Sequence, residues 1–268
     1  MQPRFLRQIT LATALAAPLG AAAMELPVHY SVIEGWRQAD GTHIAAVQIN
    51  MDAGWHTYWR APGDAGIPPL FELIGSENMV DFDISWPTPI VFDQDGMQSV
   101  GYVDQLILPV TFKPHQVDQD IRIKGQLHIG VCDEICIPVS LDLDALLPAD
   151  AVTRQGTIAA ALASVPYTAD EASVTSAVCK ITYADGKLGI TTQVTMPHTG
   201  GTEIAILESA NSDHWLSHTT SQRNGDVLTS TASIVSMNGG PVMINRADMR
   251  ITVLGSDYAV DIQGCTGS

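Results

Sequence analysis

Two cysteines four positions apart, Cys132 and Cys136, enclose Asp133-Glu134-Ile135 and are followed by Ile137-Pro138. Thiols at this spacing have three chemical uses: a structural staple, a disulfide that exchanges with other thiols, or a soft pair of metal ligands. A bond here would close a five-residue loop. Loop-closure entropy grows with loop length, so such a bond restricts little of the unfolded chain. That argument moves weight from stapling towards function and leaves all three uses open. Asp133 and Glu134 flank both sulfurs, and no Lys or Arg occurs between Lys124 and Arg154. Acidic surroundings disfavour a thiolate. A reduced pair of this kind attacks slowly in free solution and needs a docked partner, which suits a relay better than a promiscuous reductase.

Compartment bears on the choice. Arg4 and Arg7 precede an apolar stretch from Ile9 to Leu19, and Ala21-Ala22-Ala23 offers small residues for cleavage. This is the pattern of a secretory leader, with the mature chain expected to begin near Met24. The apolar stretch is shorter than the roughly 20 residues needed to span a bilayer, so export to a bacterial periplasm without membrane insertion is expected. Loss of the two arginines leaves 11 basic against 29 acidic residues. That balance excludes nucleic acid, whose affinity rests on Lys and Arg neutralising phosphates, and disfavours anionic membrane surfaces. In an oxidising compartment four cysteines read as two disulfides. Cys179 and Cys265 would close an 87-residue loop, worth about 4–5 kcal/mol in the chain-entropy model, and are expected to form a structural disulfide.

The elements that must position these groups are strands. Alternation of β-branched, aromatic and polar residues marks Val28–Ile33, His43–Ile49, Leu106–Phe112, Ile121–Ile129 and Pro138–Leu143. Gly- and Pro-rich turns lie between them, which points to an all-β, immunoglobulin-like sandwich over residues 24–148. Cys132 ends one run and Cys136 opens the next, so the pair is expected to flank a tight hairpin connection. Ala and Leu at near-helical spacing between Ala151 and Val165 predict a helical connector within 149–168, capped by Asp150 or Thr153 and stopped by Pro166. Strand patterns resume at Lys187–Val194, Glu203–Leu207, Val227–Ile234 and Arg250–Leu254. They predict a second, smaller β-sandwich domain over 169–268.

With the cysteines placed in a hairpin, a family likeness emerges. The run Tyr102-Val103-Asp104-Gln105-Leu106-Ile107-Leu108-Pro109-Val110, followed by Cys132 and Cys136-Ile137-Pro138, resembles the N-terminal periplasmic domain of the thiol:disulfide interchange protein DsbD. Gly54-Trp55-His56-Thr57-Tyr58-Trp59-Arg60-Ala61-Pro62-Gly63-Asp64-Ala65-Gly66 resembles the branch that contains the suppressor-of-copper-sensitivity proteins. The likeness covers roughly residues 26–147. It implies an immunoglobulin-like domain with one reversible cysteine pair, Cys132 and Cys136, and no cofactor. Electrons would arrive from a thioredoxin-like or membrane thiol reductase. They would leave to a periplasmic disulfide isomerase or another oxidised protein, making the chain a component of a protein-disulfide reductase dependent on an external reductant. The family also implies a cap loop, which falls here on Phe92, Asp93, Gln94, Asp95, Gly96 and Met97, with Phe92 or Met97 over the sulfurs. The chain carries neither the multi-helix membrane domain nor the thioredoxin-like domain of the usual relatives, and its cysteines lie closer together than in the best-known members.

Other residues complete the candidate set. Tyr58, His56 and Tyr102 are candidate supports of the cysteine site, while Trp55 and Trp59 are expected in the core. A rival reading takes Cys132, Cys136 and His56 as a Cu(I) site, with Met97 or Met51 as a further ligand, because soft thiolates select Cu(I). His214-Trp215-x-x-His218 has suggestive spacing without neighbouring ligands and is expected at the surface. No Gly-x-Ser-x-Gly, His-Glu-x-x-His or phosphate-binding glycine loop occurs, so hydrolase, zinc-protease and nucleotide chemistry have no support.

Overall fold

A computed structural model describes residues 26–94, 96–184 and 187–267. The expected leader, with Arg4, Arg7 and the cleavage site before Met24, lies outside the described residues, as does Asp95. Ten strands form the first half: β1 (Val28–Arg37), β2 (His43–Met51), β3 (His56–Gly63), β4 (Leu70–Glu72), β5 (Met79–Ile84), β6 (Ile90–Gln94), β7 (Met97–Val103), β8 (Gln105–Pro114), β9 (Ile121–Cys132) and β10 (Cys136–Leu147). They build a four-stranded sheet in the order β1-β2-β8-β5, and a six-stranded sheet, β10-β9-β3-β7-β6 with β4 paired to β9.

The two sheets enclose one core because their strands alternate. Ile121, Ile123, Leu127, Ile129 and Val131 of β9 are buried, and Val139, Leu141, Leu143 and Leu147 of β10 match them. The antiparallel register sets Val139 opposite Ile129, Leu141 opposite Leu127 and Leu147 opposite Ile121. Every apolar pair thus falls on the same face. From the other sheet Val47, Ile49, Leu106, Leu108 and Val110 join the same cluster. The fold class is the expected one, an immunoglobulin-like sandwich.

The connector helix α1 (Gly156–Ala163) lays Ile158 and Leu162 against Trp36, Ile44 and Ala46 on the outer face of the four-stranded sheet. Its N-cap is Gln155, without a side-chain cap bond. Neither Asp150 nor Thr153 caps it, because the helix begins later than the Ala/Leu pattern suggests. Burial of Ile158 supplies what the missing cap does not.

The second sandwich comprises β11 (Tyr167–Thr168), β12 (Ser176–Ala184), β13 (Lys187–Thr195), β14 (Ile204–Ser209), β15 (His214–Leu216), β16 (Thr220–Asn224), β17 (Val227–Ser236), β18 (Met249–Leu254), β19 (Ala259–Gln263) and β20 (Thr266–Gly267). A four-stranded sheet, β11-β19-β18-β14, packs against a six-stranded one, β15-β17-β13-β12-β20 with β16 on β17. Cys179 in β12 is bonded to Cys265, with Cα atoms 5.7 Å apart. The bond sits beside the parallel pairing of β12 with β20 and fastens the end of the described chain to the sheet. Among the described residues no helix is long and apolar enough to cross a membrane.

Buried His43 gives the first half a pH-dependent stability. Its ring is enclosed, and burial pulls its pKa below the ordinary 6.5, opposed by the hydrogen bond with the Glu34 carbonyl and assisted by Arg37. The folded ring therefore stays neutral while the unfolded one takes up a proton as pH falls through about 6.5. Its contribution is complete above that pH and is lost on acidification. The urea midpoint should thus fall between about pH 7.5 and about pH 5.5 by less in His43→Gln than in the parent chain. Equal slopes would remove the assignment. Replacing both Cys179 and Cys265 by Ser should lower the unfolding free energy by about 4–5 kcal/mol in a denaturant titration.

Candidate disulfide site

Cys132 and Cys136 form the closing pair of the β9–β10 ladder. They are joined as a disulfide, with Cα atoms 4.1 Å apart. Their parity in the ladder is opposite to that of Val131, Ile129 and Ile137, so the bond lies on the outer face of the six-stranded sheet, away from the core. Cys132 is fully buried nevertheless, whereas Cys136 is exposed.

What covers Cys132 comes from β3, the neighbour of β9. The register places His56 opposite Cys132 and Thr57 opposite Val131. His56 and Tyr58 therefore share the cysteines' face, while Trp59 enters the core. The Tyr58 ring is wholly buried, and its hydroxyl donates to Cys132 Sγ at 3.1 Å and lies 3.4 Å from Cys136 Sγ. One phenol thus spans both sulfurs. His56 meets Tyr58 edge-on at a centroid distance of 5.4 Å. Burial pulls the pKa of His56 down, and the charge of Asp133 opposes the shift.

The expected cap loop is a hairpin made by β6 and β7. The ring of Phe92 packs edge-on against that of His56 at 4.7 Å, so it reaches the disulfide through the imidazole. Met97, nearly half exposed, lines the same recess of about 460 Å³ together with Asp93, Ala65, Asp133, Glu134 and Cys136. Phe92, Asp93, Met97, His56 and Tyr58 are thus gathered at the disulfide.

Tyr102 is not brought there. It pairs with Thr57 on the core face, and its hydroxyl donates to the Pro87 carbonyl at 2.8 Å. Burial pushes its phenol pKa far up. A one-residue difference in parity separates it from Tyr58. Met51 likewise belongs to the core cluster. No group of three or more His, Cys, Asp or Glu residues poised to hold a metal ion occurs among the described residues.

His214 departs from the surface expectation, whereas His218 is exposed as expected. His214 is buried and hydrogen-bonded to Ser209, and the Nδ1 atom of His218 lies 2.7 Å from Asp64 Oδ2 in the first sandwich. Asp64 and Arg60 drew no attention as functional positions in the sequence. Their positions, six and two residues beyond Tyr58 respectively, were the one available signal.

The family model described as Thiol:disulfide interchange protein DsbD, N-terminal, matches residues 27–148. This segment belongs to the DsbD N-terminal family. The crystal structure of the N-terminal periplasmic domain of ScsB from Proteus mirabilis is similar at a TM-score of 0.67 and 19% identity, over 90% of this chain and 93% of that one. At that identity the likeness establishes the fold, and it extends beyond the DsbD segment through the second sandwich. Among curated proteins, none matches the chain.

Within the DsbD segment, Tyr58 is placed to stabilise negative charge on Cys132 once the disulfide opens. A hydrogen bond to a charged group contributes about 1.5–3 kcal/mol. In Tyr58→Phe, the alkylation rate of the reduced pair at neutral pH should therefore fall about tenfold. An unchanged rate would show that the hydroxyl does not support a thiolate.

Proposed function

We propose that the chain is a periplasmic thiol–disulfide exchange protein that relays electrons through Cys132–Cys136. The observation that carries this reading is the asymmetry of the pair: Cys136 is open to a partner, and Cys132 is enclosed beneath the Tyr58 hydroxyl. A disulfide built only to staple has no use for one reachable sulfur and a donor aimed at the other. Membership of the DsbD N-terminal family over residues 27–148 supports the same chemistry.

The exchange runs in two balanced steps. A donor thiolate attacks Cys136 Sγ and forms a mixed disulfide, and Cys132 leaves as a thiolate that accepts the Tyr58 hydrogen bond. The donor's second thiol then breaks the mixed disulfide, leaving both cysteines reduced and the donor oxidised. In the forward direction the Cys136 thiolate attacks an oxidised acceptor, and Cys132 resolves the adduct, returning the disulfide and passing on two electrons and two protons. A thioredoxin-like or membrane-bound thiol reductase suits the donor role. A disulfide isomerase, or another oxidised protein of the same compartment, suits the acceptor role. Among the described residues the recess carries Asp93, Asp133 and Glu134 and no Lys or Arg, so the chemistry favours partners with a basic or neutral rim. We take residues 24–148 as the exchanging domain, 149–168 as its connector and 169–268 as a second domain.

The reduction potential of the pair tests the reading. A value of about −180 to −270 mV in a glutathione or dithiothreitol series, followed by thiol trapping, is expected for a working exchange pair. A value below about −300 mV would return the bond to a structural role. Cys132→Ser should accumulate a mixed disulfide through Cys136, and Cys136→Ser should form none. The facing of His56 and Cys132 keeps one rival, a Cu(I) site in the reduced pair. Failure of the reduced chain to compete with a strong Cu(I) chelator removes it.

A further inference from the structure

We propose that the second sandwich sets the cap over the disulfide through a clamp between His218 and Asp64, which makes both of them positioning residues for exchange. The inference rests on the exchange reading and adds to it a role for residues outside the DsbD segment.

Asp64 sits where three pieces of structure meet. Its carboxylate accepts from His218 Nδ1 at 2.7 Å and from the His218 backbone N–H at 3.4 Å. The same carboxylate accepts from the Gln98 N–H at 3.4 Å, and the Asp64 N–H donates to the Gln98 carbonyl at 2.9 Å. Gln98 follows Met97 and pairs with Asp93, at the base of the hairpin that carries the cap. The Asp64 carboxylate is only 15% exposed while the His218 side chain is 52% exposed, so the contact is anchored on the Asp64 side. A link from the second sandwich therefore ends within one residue of Met97.

The loop that carries Asp64 also touches the redox chemistry. Gly66 is seated on the Tyr58 ring, so closely that a Cβ there would come within 2.6 Å of Tyr58 Cδ1. Ala65 lines the recess over Cys136. At the other end of this stretch Arg60 makes a bidentate pair with Glu208, at 3.0 and 2.9 Å, and donates to the Thr252 hydroxyl at 3.1 Å. Planar bidentate pairing of this kind fixes orientation as well as distance. The second sandwich thus grips the chain two residues after Tyr58 and again at Asp64. Between the grips lies a cleft of about 560 Å³ bordered by Pro62, Pro68, Leu207, Trp215 and Leu216. Polar contacts with the second sandwich thus hold both ends of this loop.

The clamp predicts that exchange rate and cap position respond to a residue of the other sandwich. In the full chain, His218→Ala should raise the rate at which dithiothreitol reduces Cys132–Cys136 by about three- to tenfold, the scale of one net hydrogen bond. His218→Asn, which keeps an N–H near the Nδ1 position, should restore most of the parent rate. Reduction of Cys179–Cys265 serves as the internal control and should not change. An unaltered rate in His218→Ala would overturn the clamp, as would equal acceleration at both disulfides, which signals general loosening. If His218→Ala does not fold, Asp64→Asn replaces it under the same criteria. Failure of the exchange reading looks different: the parent chain itself would then show a potential below about −300 mV, whatever the variants do.

Discussion

The two-residue period of the strands governs this molecule more than any single contact. Along β9 and β10 one parity goes to the core and the other outward, and Cys132 and Cys136 fall on the outward parity. A shift of one residue would exchange the two sets, burying the disulfide between the sheets and exposing Ile129, Leu127 and Leu141. The same rule on β3 sends Trp59 inward and leaves His56 and Tyr58 beside the sulfurs. The core and the site are thus two faces of one ladder. Packing of the first keeps the second in register.

How much of this could be read from the residues follows from the range of each interaction. Strands β1, β2, β8, β9, β10, β13, β14, β17 and β18, the hairpin at Cys132–Cys136 and the pairing of Cys179 with Cys265 were legible, because alternation and cysteine spacing are local signals. In contrast β3, which covers the disulfide, was not among the expected strands. Tyr58 and His56 were legible as candidates through their likeness to a family pattern. Tyr102 carried the same kind of likeness and went elsewhere, since parity between β3 and β7 cannot be known until their pairing is known. The cap of α1 was misread because Asp150 and Thr153 are good cap residues, while burial of Ile158 decided where the helix begins. The contacts of Arg60 and Asp64 were not legible at all. Their partners lie 148 and 154 residues away, and nothing local distinguishes an arginine that crosses between sandwiches from one in water.

Charge is distributed to match. The chain is strongly acidic, and one cluster of ion pairs lies where the sandwiches meet, with Arg60 and Arg250 set against Glu208 and Asp261, while Arg223–Glu203 is buried within the second sandwich. Burial lowers the pKa of Arg60, and Glu208 and Asp261 oppose that shift. Removing Arg60 would take the bidentate partner from Glu208 while Asp261 keeps Arg250, and a mostly buried carboxylate that loses its partner costs more than the intact pair contributes. Such a junction discriminates between docked and undocked arrangements more sharply than greasy packing would. It fits a joint whose geometry matters.

The position of the Cys132–Cys136 bond at the mouth of a hairpin has a mechanical consequence. Below it, eleven further residue pairs run from Ile137–Val131 to Leu147–Ile121, and none of them depends on the sulfurs for its register. Opening the bond frees a short tip and leaves the frame standing. The Cys179–Cys265 bond is of the other kind, joining segments 86 positions apart. One chain therefore contains a hinge pin and a latch. Lifting the latch would leave the door hung, so opening this bond would cost the frame little in shape.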